Sequence, residues 1–256
     1  SWGYDNYFGL ADIAKYDTLD FELDRQLILN KTFYKNMFGQ KGKFLDYIIT
    51  YTPHTPFTTK KEVGKLVAEM KYGKGKVPDL SEEETAKLMV GETDYMVGLL
   101  IQALKDNNLY DNTVIVAYAD HYLYTINDKS VLDKYKTTSN NLINNTPFFI
   151  WSSDIKPQNI NKTTMQMNIL PTVLNLFGID YNSNYFLCKN ALAKDYQGIA
   201  FFSDYSWYDG NVYVENGAVT NNKSINKQDL NTKSSLVHDI IRKNDLTLKY
   251  DYFKSK

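Results

Sequence analysis

Residues 81–121 constrain the fold more than any other stretch of this chain. Ser81 and Glu84 make a capping-box pattern, the reciprocal arrangement that opens a helix. Ala86, Val90, Val97, Ile101 and Leu104 then recur at helical spacing, which predicts one long helix to about Lys105. Asp106-Asn107-Asn108 is a turn. Thr113-Val114-Ile115-Val116-Ala117-Tyr118-Ala119 follows as a near-continuous apolar run. Helix, short turn and apolar strand are the parts of an α/β unit with a buried sheet.

That strand ends on Asp120-His121. A carboxylate oxygen and an imidazole nitrogen are sound ligands for zinc or manganese, which points to phosphate or sulfate ester chemistry. Neighbouring side chains on a regular strand face opposite ways, so the pair converges only where the strand stops and the backbone turns. A surface loop that merely contains Asp-His is the plain alternative. His54 is the second candidate, on the loop Thr50-Tyr51-Thr52-Pro53-His54-Thr55-Pro56-Phe57, where two prolines bracket it. It suits contact with a phosphoryl oxygen or proton transfer; a loop histidine bonded to backbone is the bland reading. His238 is expected on a helix surface, and Asp94, inside the long helix, in a structural role. Thr125, four residues past His121, offers a hydroxyl. Cys188 reads as packing.

The chain has 256 residues, 43% hydrophobic and 23% charged, ordinary for a folded protein. A net charge of −1 supplies no positive field, so nucleic acid is not an expected partner. One cysteine excludes an internal disulfide framework. Glycine-rich phosphate loops, dinucleotide fingerprints and Gly-x-Ser-x-Gly elbows are absent. So is an apolar run of transmembrane length. The 21 tyrosines suit amphipathic sugar or interface contacts, with compositional bias of the source as the plainer account.

Further elements follow from pattern. A helix is expected over 20–37, and strands at Phe44–Ile49 and Phe148–Trp151. Val131–Asn145 reads as a loop with a helical turn, and Lys60–Lys76 as a basic, solvated run. A short helix is expected from Pro171 to Phe177, stopped by Gly178. Strands over 198–203 and 211–215 are expected to form a hairpin through Asp209-Gly210, with a closing helix over 235–242.

Several of these segments, in order, resemble one family. They are Trp2-Gly3-Tyr4-Asp5-Asn6-Tyr7-Phe8; Ile48-Ile49-Thr50 with His54-Thr55-Pro56-Phe57; Asp94 in its helix; Asn112 to His121 with Tyr122; and Met167 to Ile179 with Pro171-Thr172. Over residues 2–215 the chain resembles the C-terminal half of the catalytic domain of lipoteichoic acid synthase and related phosphoglycerol transferases. These belong to the sulfatase and alkaline phosphatase superfamily. Asn168 stands where the family has aspartate, Ala119 where it has glycine, and Leu123 where it has a small residue.

The resemblance implies an α/β fold: a partial layered sulfatase/alkaline phosphatase-like core over 1–192, with a small α+β annex over 193–256. It implies that Asp120 and His121 hold a divalent metal, manganese first and zinc or magnesium as alternatives. His54 and Thr125 would contact a glycerophosphate-containing lipid or polymer. The family's threonine nucleophile and an acidic metal ligand fall in an N-terminal part with no counterpart here. The chain is therefore expected to be a fragment, inactive alone, of a membrane-anchored parent at the extracellular face of a bacterial cytoplasmic membrane. That N-terminal part is its expected partner, and an exposed sheet edge is expected to favour self-association. Alternatives are another superfamily hydrolase, a phosphoethanolamine transferase, or a noncatalytic binding domain of a degenerate transferase.

Overall fold

The computed structural model describes residues 3–9, 23–134 and 146–254. They fall into two compact units, one running through residue 155 and the other beginning at 156. The second unit holds the segment 193–256 and also 156–192.

In the first unit the helix expected over 20–37 is two helices, α1 (Gln26–Leu29) and α2 (Lys31–Phe38); residues 20–22 lie outside the described residues. The break is at Asn30, whose extended backbone makes it a cap. Its side chain accepts from the Thr32 N–H at 2.9 Å and the Phe33 N–H at 3.3 Å. The basic run 60–76 contains α3 (Glu62–Tyr72), which buries Val63, Gly64, Val67 and Ala68. Lysines hid this apolar stripe from sequence reading. A Cβ on Gly64 would stand 2.3 Å from the Thr58 carbonyl, so α3 meets the loop before it only because that residue is glycine.

The long helix is α4 (Glu82–Asp106), opened by the expected capping box. Ser81 Oγ accepts from the Glu84 N–H at 3.2 Å, and Glu84 accepts from the Ser81 N–H at 2.8 Å. β1 (Ile115–Tyr118) follows, then a helical turn α5 (Lys129–Asp133) and β2 (Phe148–Trp151). Residues 135–145, most of the expected polar loop, lie outside the described residues.

Two strand expectations are corrected. β1 is not buried on both faces: it pairs antiparallel with β2 in a two-stranded sheet, and Tyr118 and Phe149 are exposed. Phe44–Ile49 forms no regular strand and pairs with none among the described residues, and Leu45 and Ile49 are 76% and 71% exposed. Apolar, β-branched composition suits a half-buried pleated surface, but it does not provide the neighbour that makes one. The unit's core instead joins Leu23, Phe57, Val63, Val67, Ala86, Met89, Ile126 and Val131.

In the second unit α6 (Ile169–Leu176) stops as expected. Gly178 has φ +62°, and the Ile179 N–H reaches back to the Leu174 carbonyl at 2.9 Å. The expected hairpin is an antiparallel four-strand meander: β3 (Ala200–Phe201), β4 (Trp207–Tyr208), β5 (Tyr213–Glu215) and β6 (Ala218–Val219). Asp209-Gly210 joins β4 to β5, because an unexpected strand intervenes after Phe201. The closing helix α7 (Lys227–Lys249) is much longer than 235–242, since Asn226 caps it by accepting from the Asp229 N–H at 2.8 Å. Leu230, Val237, Ile240 and Ile241 of α7 pack with Trp207, Val212 and Val214. Among the described residues no helix is long and apolar enough to cross a membrane.

Candidate functional site

Regular β1 ends at Tyr118, two residues before Asp120, so the backbone is free to turn there. The Asp120 and His121 side chains accordingly lie on one side, with Asp120 Oδ1 3.6 Å from His121 Nε2. Asp120 Oδ1 also accepts from the His121 N–H at 2.9 Å. Two donors about 2.0–2.1 Å from one tetrahedral ion stand roughly 3.4 Å apart, close to the spacing seen.

The imidazole is oriented as a ligand would be. His121 Nδ1 lies 2.8 Å from the Tyr122 carbonyl oxygen. A carbonyl only accepts, so in the neutral ring Nδ1 carries the proton and Nε2 keeps its lone pair toward Asp120. Tyr124 packs edge-on against the ring, 4.7 Å between centroids. The side chains are 82% (Asp120) and 45% (His121) exposed, open to a ligand. The pair thus fits part of a divalent-metal sphere. Among the described residues no group of three or more His, Cys, Asp or Glu is placed to hold an ion.

His54 stands on a separate loop with the same tautomer logic: its Nδ1 donates to the Thr55 carbonyl at 3.0 Å, leaving Nε2 exposed. Its ring stacks on Tyr51, 5.2 Å between centroids and 10° from parallel. Phe57 anchors this loop in the same apolar core that Leu123 and Ile126 enter from the Asp-His loop. Tyr47 and Tyr118 also join the two segments through their hydroxyls at 3.1 Å. That hydrogen bond, then burial, pushes Tyr118 up to about 12, so it is a neutral phenol beside Asp120. Thr125 is half-buried in the Asp-His loop.

Other candidates resolve simply. His238 is exposed on α7 and stacks on Tyr205 at 4.4 Å. Asp94 is exposed. Burial pushes the Cys188 thiol up to about 11 among Met165 and Met167, so it packs and does not react as a thiolate at neutral pH. Asn168 is fully buried: its Oδ1 accepts from the Met165 N–H at 3.0 Å and the Tyr196 hydroxyl at 3.1 Å, while its Nδ2 donates to the Lys189 carbonyl at 2.8 Å. An amide fills that role where a carboxylate could not.

Sequence reasoning missed Asp24, which is 2% exposed. Its Oδ1 accepts from the Tyr51 N–H at 2.7 Å and the Thr52 N–H at 3.0 Å, and its Oδ2 accepts from Thr93 Oγ1 at 2.5 Å. Glu82 was missed too: it accepts from the Asn127 and Asp128 backbones. Both act across long sequence separations, with no local pattern to find them by.

The sequence profile of the sulfatase family matches residues 1–179. The chain belongs to the sulfatase family. It is 26% identical over 271 aligned residues to lipoteichoic acid synthase of Staphylococcus aureus, covering 99% of this chain and 40% of that protein. The lipoteichoic acid synthase of Staphylococcus saprophyticus is 26% identical over 229 residues, covering 83% of this chain and 34% of that protein. The crystal structure of the lipoteichoic acid synthase LtaP from Listeria monocytogenes superposes with a TM-score of 0.75 at 19% identity, over 96% of this chain and 64% of that one. This member is thus a sulfatase-superfamily domain with a mixed α/β core of small sheets and helices and a C-terminal annex, related to lipoteichoic acid synthase-like phosphoglycerol transferases. It spans 34–40% of the length of these curated relatives.

Proposed function

We propose that this chain is part of a metal-dependent phosphoglycerol transferase acting on membrane-linked glycerophosphate, for lipoteichoic acid or a related surface polymer. The observation that carries the reading is the convergent Asp120–His121 pair with its ligating Nε2 held free by the Tyr122 carbonyl. Kinship with lipoteichoic acid synthases supports it. A divalent cation, manganese first and zinc or magnesium next, would there acidify an attacking hydroxyl and neutralise charge on phosphorus. Asp120 and His121 would be two of its ligands, with the rest supplied from outside the described residues. His54 Nε2 holds a phosphoryl oxygen, and the Thr125 hydroxyl hydrogen-bonds the glycerophosphate. The attacking group is a threonine in polypeptide outside residues 1–256. Its oxygen bonds phosphorus as the lipid oxygen leaves, and an acceptor hydroxyl then displaces it.

That same polypeptide is the partner we assign to the apolar segment Phe44–Ile49, by strand addition to a stretch that pairs with no strand among the described residues. The working location is the extracellular face of a bacterial cytoplasmic membrane, in an anchored parent.

The test is manganese titration of the chain while following the ring signals of His121, His54 and His238. Paramagnetic broadening of His121 ahead of His238, lost in Asp120→Ala, is expected. Equal broadening of all three would reject the metal site. The chain alone should turn over no glycerophosphate ester, so turnover by pure material would overturn the division of labour. A noncatalytic role gains if the parent gene lacks both the threonine and an acidic ligand.

A further inference from the structure

The two loops that bear the candidate residues are each tied by one buried or half-buried carboxylate to the same rigid element, α4. At its first turn, Glu82 takes Asn127 and Asp128. Asn127 N donates to both carboxylate oxygens at 3.0 and 2.9 Å, Asn127 Nδ2 donates at 2.8 Å, and Asp128 N at 2.8 Å. Lys129 closes the same loop from the other side, donating to the Tyr124 and Ile126 carbonyls at 2.8 and 2.6 Å. The loop they hold carries Thr125, two residues before Asn127, and, further upstream, His121. Eleven residues along, about 16 Å at the helical rise, Thr93 of α4 holds Asp24. Asp24 in turn fixes the backbone of Tyr51 and Thr52. The His54 N–H then bonds the Tyr51 carbonyl at 3.1 Å, and its ring stacks on Tyr51. Arg25, next to Asp24, makes a two-pronged ion pair with Glu92 of α4 and lies 4.6 Å over the Tyr95 ring.

Each polar clamp has an apolar partner beside it. Met89, between the two clamps on α4 and fully buried, shares one core with Leu23, Ile126 and Phe57. Leu23 adjoins Asp24, Ile126 adjoins Asn127, and Phe57 ends the His54 loop.

We infer that Glu82 and Asp24 are positioning residues: α4 acts as a ruler that sets the His121–Thr125 loop and the His54 loop through two separate carboxylate clamps. The inference rests on the reading of those residues as the site. Charged acceptors suit the task, because hydrogen bonds to a carboxylate are about twice as strong as neutral ones, and here each carboxylate takes two consecutive backbone N–H groups.

The test uses Glu82→Ala and Asp24→Asn in the 256-residue chain, without metal, reading histidine ring signals and amide exchange. Glu82→Ala should shift His121 and raise exchange at Asn127 and Asp128 while leaving His54 in place. Asp24→Asn should shift His54 and raise exchange at Tyr51 and Thr52 while leaving His121 in place. General loosening of the fold would move both histidines in both variants, and that outcome, or no movement of either, overturns the inference. Should Glu82→Ala not fold, Asn127→Ala removes one of the same bonds and must shift His121 alone, in the same sense. Adding manganese afterwards separates the two ideas. Binding about tenfold weaker in Glu82→Ala than in the unaltered chain is expected. Absence of specific binding in the unaltered chain would reject the metal reading and leave the metal-free result to decide the positioning role.

Discussion

The β1–β2 pair of the first unit and the β3–β6 meander of the second make an instructive contrast. Ile115-Val116-Ala117-Tyr118 is as apolar a strand as the chain contains, yet it has one partner among the described residues and ends exposed. The meander strands are two or three residues long and interleaved with polar turns, yet Trp207, Tyr213 and Val214 are at most 1% exposed. The difference is cover. α7 lays Leu230, Val237, Ile240 and Ile241 over the meander, whereas β1 and Phe44–Ile49 show apolar side chains to solvent. Strand composition sets the backbone; burial is set by what packs on the face.

If that contrast is right, substitutions in the meander should be costly and those on the open segment cheap. Trp207→Ala should have the largest effect, about 3–5 kcal/mol, because it empties the centre of the second unit and removes a 3.2 Å bond to Ser234. Denaturant unfolding of the unit would show it, and a loss under 1 kcal/mol would mean the meander is not held by that core. Asn168→Asp should follow at about 3 kcal/mol near neutral pH, since a carboxylate would face the Lys189 carbonyl where an amide now donates. Thermal melts at neutral and acid pH would test it, with the deficit shrinking where the new carboxyl is protonated.

Lys233→Met sharpens the same comparison by a smaller step. Burial pushes Asp209 up, but hydrogen bonds from Lys233 and from the Val212 and Asn211 N–H groups outweigh it and hold its carboxyl below the usual range. A carboxyl lowered on folding adds stability above its unfolded value, near 3.8, and loses it as pH falls through the lower folded value. Removing Lys233 should cost about 2 kcal/mol at pH 7, less than a fully buried pair because Lys233 is partly exposed. The cost should vanish in strong acid. A cost that persisted there would assign it to packing against Trp207, over which Lys233 sits at 6.0 Å.

The smallest stability effect belongs to the open side. Ile49→Lys should change stability by under about 0.5 kcal/mol, while lowering self-association in sedimentation. A large destabilisation would show that the segment is covered, and the contrast between the units would fail.

Local chemistry was readable wherever neighbours in sequence decide it. The capping box at Ser81 and Glu84, the Gly178 stop after α6 and the Asp-His pair past β1 each depend on residues within about five positions. Asn30 shows the limit. A helical stripe ran through it, but its buried side chain caps α2 and splits the run. Asp94 itself is exposed, and the buried acid beside α4 is Asp24, contributed by another segment and accepting a bond from Thr93.

By itself, then, the sequence determined where α4 starts and α6 stops, that a strand precedes Asp120, and that a carboxylate oxygen and an imidazole nitrogen stand together after it. These are short-range consequences of backbone sterics and capping bonds. Tertiary structure alone decided which strands acquire neighbours, which apolar residues are covered, and how α4 holds two loops through Glu82 and Asp24. Those outcomes rest on contacts between distant segments, such as Asp24 and Thr93, 69 residues apart, whose partners carry no local signature of one another.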